Sequence, residues 1–127
     1  MASILKVDTL TGVTTAGSIS VTGEGNSTTT NLQQGLCNAW AETNSAGTSI
    51  AGSFNIASLV DNGTGIQTCN YTNGFSNANY PVVTTGGDVG DDMTFSASTT
   101  GTWVVYAFNG AAYADVAQHT IAIGDLA

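Results

Sequence analysis

Positive charge is almost missing from this chain. Lys6 is its one basic residue, arginine is absent, and nine acids stand against it: Asp8, Glu24, Glu42, Asp61, Asp88, Asp91, Asp92, Asp115 and Asp125. The net charge is −8, yet charged side chains make up only 8% of the 127 residues, where an ordinary soluble domain carries about 25%. Nucleic-acid binding by charge needs Lys and Arg to displace counterions from phosphates, so no nucleic-acid partner is expected. An anionic membrane surface would repel the chain. No apolar run approaches the roughly 20 residues of a spanning helix, so no membrane insertion is expected. The opening Met1-Ala2-Ser3-Ile4-Leu5-Lys6-Val7-Asp8 lacks the basic and apolar regions of a secretory signal, which predicts folding in a reducing cytosol. Two cysteines, Cys37 and Cys69, are too few for a disulfide framework. Free thiols are the first reading for them and one disulfide the second. They show neither CxxC spacing nor a histidine cluster, so zinc is not expected.

Aromatics are missing from residues 1–35 and all ten lie beyond. The first part therefore cannot build a packed core by itself, whereas the second can. With 42% hydrophobic residues, the chain is not expected to be disordered. This suggests two units, an extended N-terminal arm and linker over 1–35 and a head domain over 36–127.

What the chain has in abundance is neutral polar vocabulary: 20 Thr, 11 Ser, 11 Asn and 16 Gly. Short β-prone stretches alternate with glycine in the arm, at 4–10, 13–16 and 18–22, followed by a polar connector over 24–31. In the head, Leu36–Thr43, 53–60 and 66–72, 80–85, 93–97, 102–108 and 116–123 read as strands. Asp61-Asn62-Gly63-Thr64-Gly65 supplies a turn rich in residues that tolerate positive φ, so 53–60 and 66–72 form the strongest hairpin. Pro81 marks a strand entry or edge, 86–92 reads as a loop, Asn109-Gly110 as a turn, and Phe75 is expected to tuck back onto the core. Turn signals this frequent predict an all-β fold, an antiparallel sandwich or small barrel. The helix candidates are short: 30–36 and 111–116.

Chemistry has few places to hide. His119, the one histidine, shares a strand face with Ala117 and Ile121 and reads first as a surface or structural imidazole. Asp88, Asp91 and Asp92 form the one dense acidic patch. Hard cations take several oxygen ligands, but Asp-x-x-Asp-Asp is not an EF-hand loop, and a solvated loop competes with a weak metal site. The sequons at Asn26, Asn62 and Asn70 are read as chance in so Asn- and Thr-rich a chain. Trp40, Trp103, Tyr106 and Tyr113 are candidates for stacking on a sugar. The two tryptophans lie in strands, where core packing is the simpler reading. Tyr80 and Tyr113, beside loops, are the more open pair for glycan contact. No catalytic residues and no cofactor are assigned.

Two segments carry a resemblance. Ser3-Ile4-Leu5-Lys6-Val7-Asp8-Thr9-Leu10-Thr11-Gly12 resembles the N-termini of small fibre and virion structural proteins of tailed bacteriophages, especially marine podovirus-type phages. Ser53-Phe54-Asn55-Ile56-Ala57-Ser58-Leu59-Val60-Asp61-Asn62-Gly63-Thr64-Gly65, followed by Asn70-Tyr71-Thr72 and Asn77-Ala78-Asn79-Tyr80, is similar to a hairpin in those proteins (S-F-N-V-x-S-x-x-D-N-G-T-G, then N-F-T, then a tyrosine). The resemblance implies a non-enzymatic virion component, a short tail fibre or capsid-decoration knob, made in the host cytoplasm and displayed on the virion surface. It also implies a homotrimer with a jelly-roll-like sandwich head, contact with other capsid or tail proteins through the N-terminal arm, and a role in host attachment or particle stabilisation. A host-surface glycan is the alternative partner, and a hydrolase the weakest reading. Independently of the resemblance, Ile4, Leu5, Val7, Leu10, Val13, Ile19 and Val21 need a partner surface, because an aromatic-free arm cannot bury them alone.

Overall fold

The computed structural model describes residues 4–12, 19–22, 29–32, 35–87 and 90–127. Among them there is no helix. Eleven strands form: β1 (Ser20–Thr22), β2 (Thr29–Asn31), β3 (Cys37–Thr43), β4 (Ile50–Phe54), β5 (Ile56–Asp61), β6 (Ile66–Tyr71), β7 (Val82–Gly86), β8 (Asp91–Ser98), β9 (Thr102–Asn109), β10 (Ala112–Tyr113) and β11 (Gln118–Ile123). Every strand pairing is antiparallel. The fold is therefore all-β with several antiparallel sheets, as the turn-rich, β-branched sequence predicts.

The first head sheet has the order β4-β3-β11-β7. In the second, β5 pairs β6 and β6 pairs β9. The strand β8 runs along one side of β9 from Asn109 to Trp103, so β6 and the short β10 share its other side. Alternation sends Ala39, Ala41 and Ala122 inward from the first sheet and Cys69, Tyr71, Trp103 and Val105 inward from the second. With Phe75 and Tyr80 these form one buried cluster, and Ile56, Leu59, Val82, Met93 and Leu126 pack around it. Phe75 is buried, as expected, and bridges backbone to backbone with Leu126. Small residues line the first sheet's inner face and the large Tyr71 and Trp103 rings the second's, so the bulk of one face meets the shallow surface of the other.

The core has a polar end. Thr43 Oγ1 donates to Gln67 Oε1 at 2.8 Å across the two sheets, and Gln67 Nε2 reaches the Asn44 carbonyl at 3.3 Å. Thr84 and Thr120 share a hydroxyl hydrogen bond of 3.0 Å on neighbouring strands. Buried polar groups need such partners, because an unpaired one costs about 1–3 kcal/mol.

The structure corrects several expectations. The strand read over 53–60 breaks at Asn55, which takes a φ of 61°. Phe54 closes β4 in the first sheet and Ile56 opens β5 in the second. Asn tolerates this left-handed conformation better than most residues, and its side chain holds the corner. Asn55 Nδ2 donates to the Asn38 carbonyl (3.1 Å) and the Asn73 carbonyl (2.9 Å), and its Oδ1 accepts from the Asn73 N–H (2.8 Å). The hairpin itself is present, with β5 and β6 paired from Ile56–Tyr71 to Asp61–Gln67. The helix candidates fail. Thr30 and Asn31 belong to β2, and Ala112 and Tyr113 to β10, because strand pairing to β1 and β9 outweighs weak local propensity. Thr29–Asn31, read as connector, is strand. Asp91 and Asp92, read as loop, begin β8. Val13, the strand expected over 13–16, most of the polar connector with Asn26, and Asp88 lie outside the described residues.

Candidate functional site

The arm comes first in the chain. Residues 4–12 form no strand, and Ile4, Leu5, Val7 and Leu10 are all exposed, Ile4 at 79% and Leu5 at 81%. Beyond them β1 and β2 form a two-stranded ribbon, Ser20 opposite Asn31 and Thr22 opposite Thr29, closed by the Leu32 N–H on the Ile19 carbonyl at 2.9 Å. Val21 is exposed and Ile19 half-buried. Two strands of three residues bury too little to be stable alone, so the ribbon is consistent with an arm that needs a partner surface.

The first head sheet turns a second apolar surface to solvent. Cross-strand pairing sets Phe54 opposite Trp40, Trp40 opposite Ile121, and Ile121 opposite Val83. All four are exposed, so one apolar row crosses the whole sheet on its outer face. The Trp40 ring lies against Gly52, where a Cβ would come within 3.2 Å of it. Trp40 was expected in the core. It stands between the buried Ala39 and Ala41, and the alternation that runs on through exposed Glu42 to buried Thr43 turns its ring outward. The next outer row reads Glu42, His119 and Thr85, and on the other side Ile123 stands opposite Cys37. His119 is exposed on this open sheet surface, on the face shared with Ile121.

The second sheet's outer face carries an aromatic shelf. Tyr113 on β10 faces Phe108 on β9, with ring centroids 4.6 Å apart and planes inclined 28°. Tyr106 lies 5.7 Å from Tyr113. Asp92 and Thr94, both exposed, pair with Phe108 and Tyr106 from β8. Tyr113 is about half-exposed, and the Asn109-Gly110 turn, with Gly110 at φ 72°, folds it back over β9.

Tyr80 differs from expectation: it is buried. Its ring stacks on Phe75 at 4.0 Å. Its hydroxyl accepts from Tyr71 at 2.8 Å and sits 2.7 Å from the Thr99 carbonyl and 3.0 Å from that of Thr102. Burial pushes the Tyr71 and Tyr80 hydroxyls above the usual phenol range. A crevice of about 250 Å³ opens beside the stack, lined by Phe75 and Tyr80 themselves with Asn77, Asn79, Pro81 and Ile123 among others. That is below the roughly 300–1,000 Å³ of small-molecule sites. Tyr80's face is closed to a sugar ring.

The cysteines are separate. Cys37 is exposed on the first sheet and Cys69 is buried in the second, both as free thiols. Burial pushes the Cys69 thiol up to about 12, only partly offset by a hydrogen bond with Trp103. Asp92 is exposed on β8, and among the described residues no group of three or more His, Cys, Asp or Glu is placed to hold a metal.

Of the residues singled out in the sequence, then, the structure sets Tyr113 beside Tyr106 and Phe108, and leaves the arm residues exposed. It does not bring Tyr80 and Tyr113 together. Sequence reasoning missed the outer row of the first sheet, although the alternation Trp40–Glu42 and His119–Ile121–Ile123 was there to be read once the strand pairing was known. Comparison with known protein families, with curated proteins and with solved structures finds no match for this chain.

Proposed function

We propose that this chain is a non-enzymatic structural protein of a bacteriophage particle, a homotrimeric short fibre or capsid-decoration knob. The arm docks it on neighbouring capsid or tail proteins, and the jelly-roll-like head projects from the virion surface to serve host attachment or particle stabilisation. One observation carries this reading: the run of exposed apolar residues Ile4, Leu5, Val7 and Leu10 ahead of a ribbon too small to stand alone. Exposed apolar side chains in such a concentration want a protein surface, and a chain with one basic residue has neither nucleic acid nor anionic lipid as an alternative partner. The test is the molar mass of the full chain by light scattering. A trimer of 12.8 kDa chains is expected, and a monodisperse monomer overturns the trimer. A reconstruction of intact particles with residues 4–10 seated on a neighbouring protein is the matching test of the arm.

A second reading is favoured by the shelf. Tyr113 stacked on Phe108, with Asp92 and Thr94 beside them, offers apolar ring faces next to hydrogen-bonding groups, the combination a sugar ring uses. Glycan-array binding lost on Tyr113→Ala supports it, and an array without any bound glycan removes it.

A further inference from the structure

We infer that the outer face of the β4-β3-β11-β7 sheet is where heads of this chain meet one another, with the row Phe54, Trp40, Ile121 and Val83 at the centre of the contact. The inference rests on the homotrimer reading above and adds the surface that performs it.

The first support is area. Phe54 is 52% exposed, Trp40 39%, Ile121 46%, Val83 63% and Ile123 36%. An aromatic side chain buries about 150–250 Å² and an aliphatic one roughly half that, so these five present roughly 350 Å² of contiguous apolar surface. A stable interface buries about 800 Å² per partner, of which somewhat over half is apolar. The row therefore supplies most of the apolar core such a contact requires, and it spans the sheet from one edge strand to the other.

The second support is charge. Contact between copies of a −8 chain brings like charges together unless the acids are elsewhere. Of the nine acids, Glu42 alone lies on the four strands of this sheet. It stands directly opposite His119, next to the apolar row. A Glu42 of one copy can therefore meet a His119 of another, and the other residues of these four strands carry no acid or base. The second sheet is less suited, since Asp61, Asp91 and Asp92 lie on its strands. The third support is fit between side chains. Gly52 leaves room for the Trp40 indole, which lies flat enough that a Cβ there would approach it within 3.2 Å. A Trp laid over a glycine presents a broad, pre-ordered face, and pre-ordering lowers the entropy lost on association.

The test uses the full chain and two variants, Val83→Glu and Ile121→Glu. Both positions are exposed, so folding is preserved, and far-UV circular dichroism with a thermal melt verifies it. A milder variant, Val83→Asn, repeats the measurement without added charge. Light scattering across a dilution series reads the mass. A wild-type trimer whose dissociation midpoint rises at least tenfold in Val83→Glu and Ile121→Glu, and more modestly in Val83→Asn, establishes the contact. A wild-type dimer weakened in the same way also establishes the face and overturns the threefold count. A wild-type trimer unmoved by all three variants overturns this inference while the trimer stands. A wild-type monomer overturns both.

Discussion

The paired hydroxyls of Tyr71 and Tyr80 allow a sharp test of how the core is held. Tyr71 donates to Tyr80 at 2.8 Å, and Tyr80 in turn donates to the Thr99 and Thr102 carbonyls, 2.7 and 3.0 Å away. Both rings are at least nine-tenths buried, so the relay is directional and its two ends are not equivalent. Tyr71→Phe removes a donor and leaves Tyr80 still bonded to the turn. Only the net value of one hydrogen bond is lost, about 1 kcal/mol. Tyr80→Phe removes the acceptor, strands the Tyr71 hydroxyl in an apolar cluster, and frees the turn carbonyls. The stranded donor alone costs about 1–3 kcal/mol, so the total is expected near 3 kcal/mol. The double variant no longer has a stranded hydroxyl, and it should cost about 1 kcal/mol less than the sum of the singles. Urea unfolding followed by tryptophan fluorescence measures all three, with Trp103 packed 5.2 Å from Tyr71 as the reporter. A Tyr71→Phe loss equal to or larger than that of Tyr80→Phe, or strict additivity, refutes the relay.

Asn55→Ala should cost about 2–3 kcal/mol in the same assay, because it removes the side-chain bonds at the corner and keeps a Cβ at φ 61°. Asn55→Gly should cost about 1 kcal/mol less than Asn55→Ala, and equal losses would show that the backbone conformation contributes nothing. Gly65→Ala should destabilise by about 2–4 kcal/mol, since its φ is 71° and the new Cβ would lie 2.6 Å from the Ala107 carbonyl oxygen, against the bond that fastens the β5–β6 turn to β9. A thermal midpoint unchanged within 2 °C, roughly half a kcal/mol for a domain of this size, would falsify that account. Stability should also fall in alkali. The unfolded Cys69 thiol ionises near 9.0 and the folded one near about 12, so the folded state holds the extra proton between them. Its contribution is complete below pH 9 and is lost as pH rises toward about 12, with the raised tyrosine hydroxyls adding to the fall. Cys69 labelling by maleimide should appear only on unfolding, and native-state labelling of Cys69 at pH 8 would contradict its burial.

Composition and short-range pattern were enough to identify the fold class, most strand positions, the β5–β6 hairpin and its Asp61–Gly65 turn, and the burial of Phe75. These are local properties. β-branched alternation, turn residues that accept positive φ, and the scarcity of helix formers all act within a few residues of one another. The absence of aromatics before Trp40 is likewise a property of the sequence alone, and a segment without large side chains cannot bury a core by itself. Tertiary structure decided the rest. Asn55 looks like one more polar residue in an alternating strand until its side chain finds the Asn38 and Asn73 carbonyls and turns the chain into the other sheet. Which face of a strand is inside depends on the tertiary packing, and the burial of Ala39, Ala41 and Thr43 against the second sheet puts Trp40 on the surface where an aromatic was expected to pack. Tertiary packing also separated Tyr80 from Tyr113, which the sequence read alike: each borders a loop, but Tyr80 finds Tyr71 and Phe75 against it, while Tyr113 is laid over the outside of β9. The apolar row Phe54–Trp40–Ile121–Val83 draws on four strands separated by as many as 81 residues of sequence. No local pattern brings those residues together, because only strand pairing decides which side chains lie side by side.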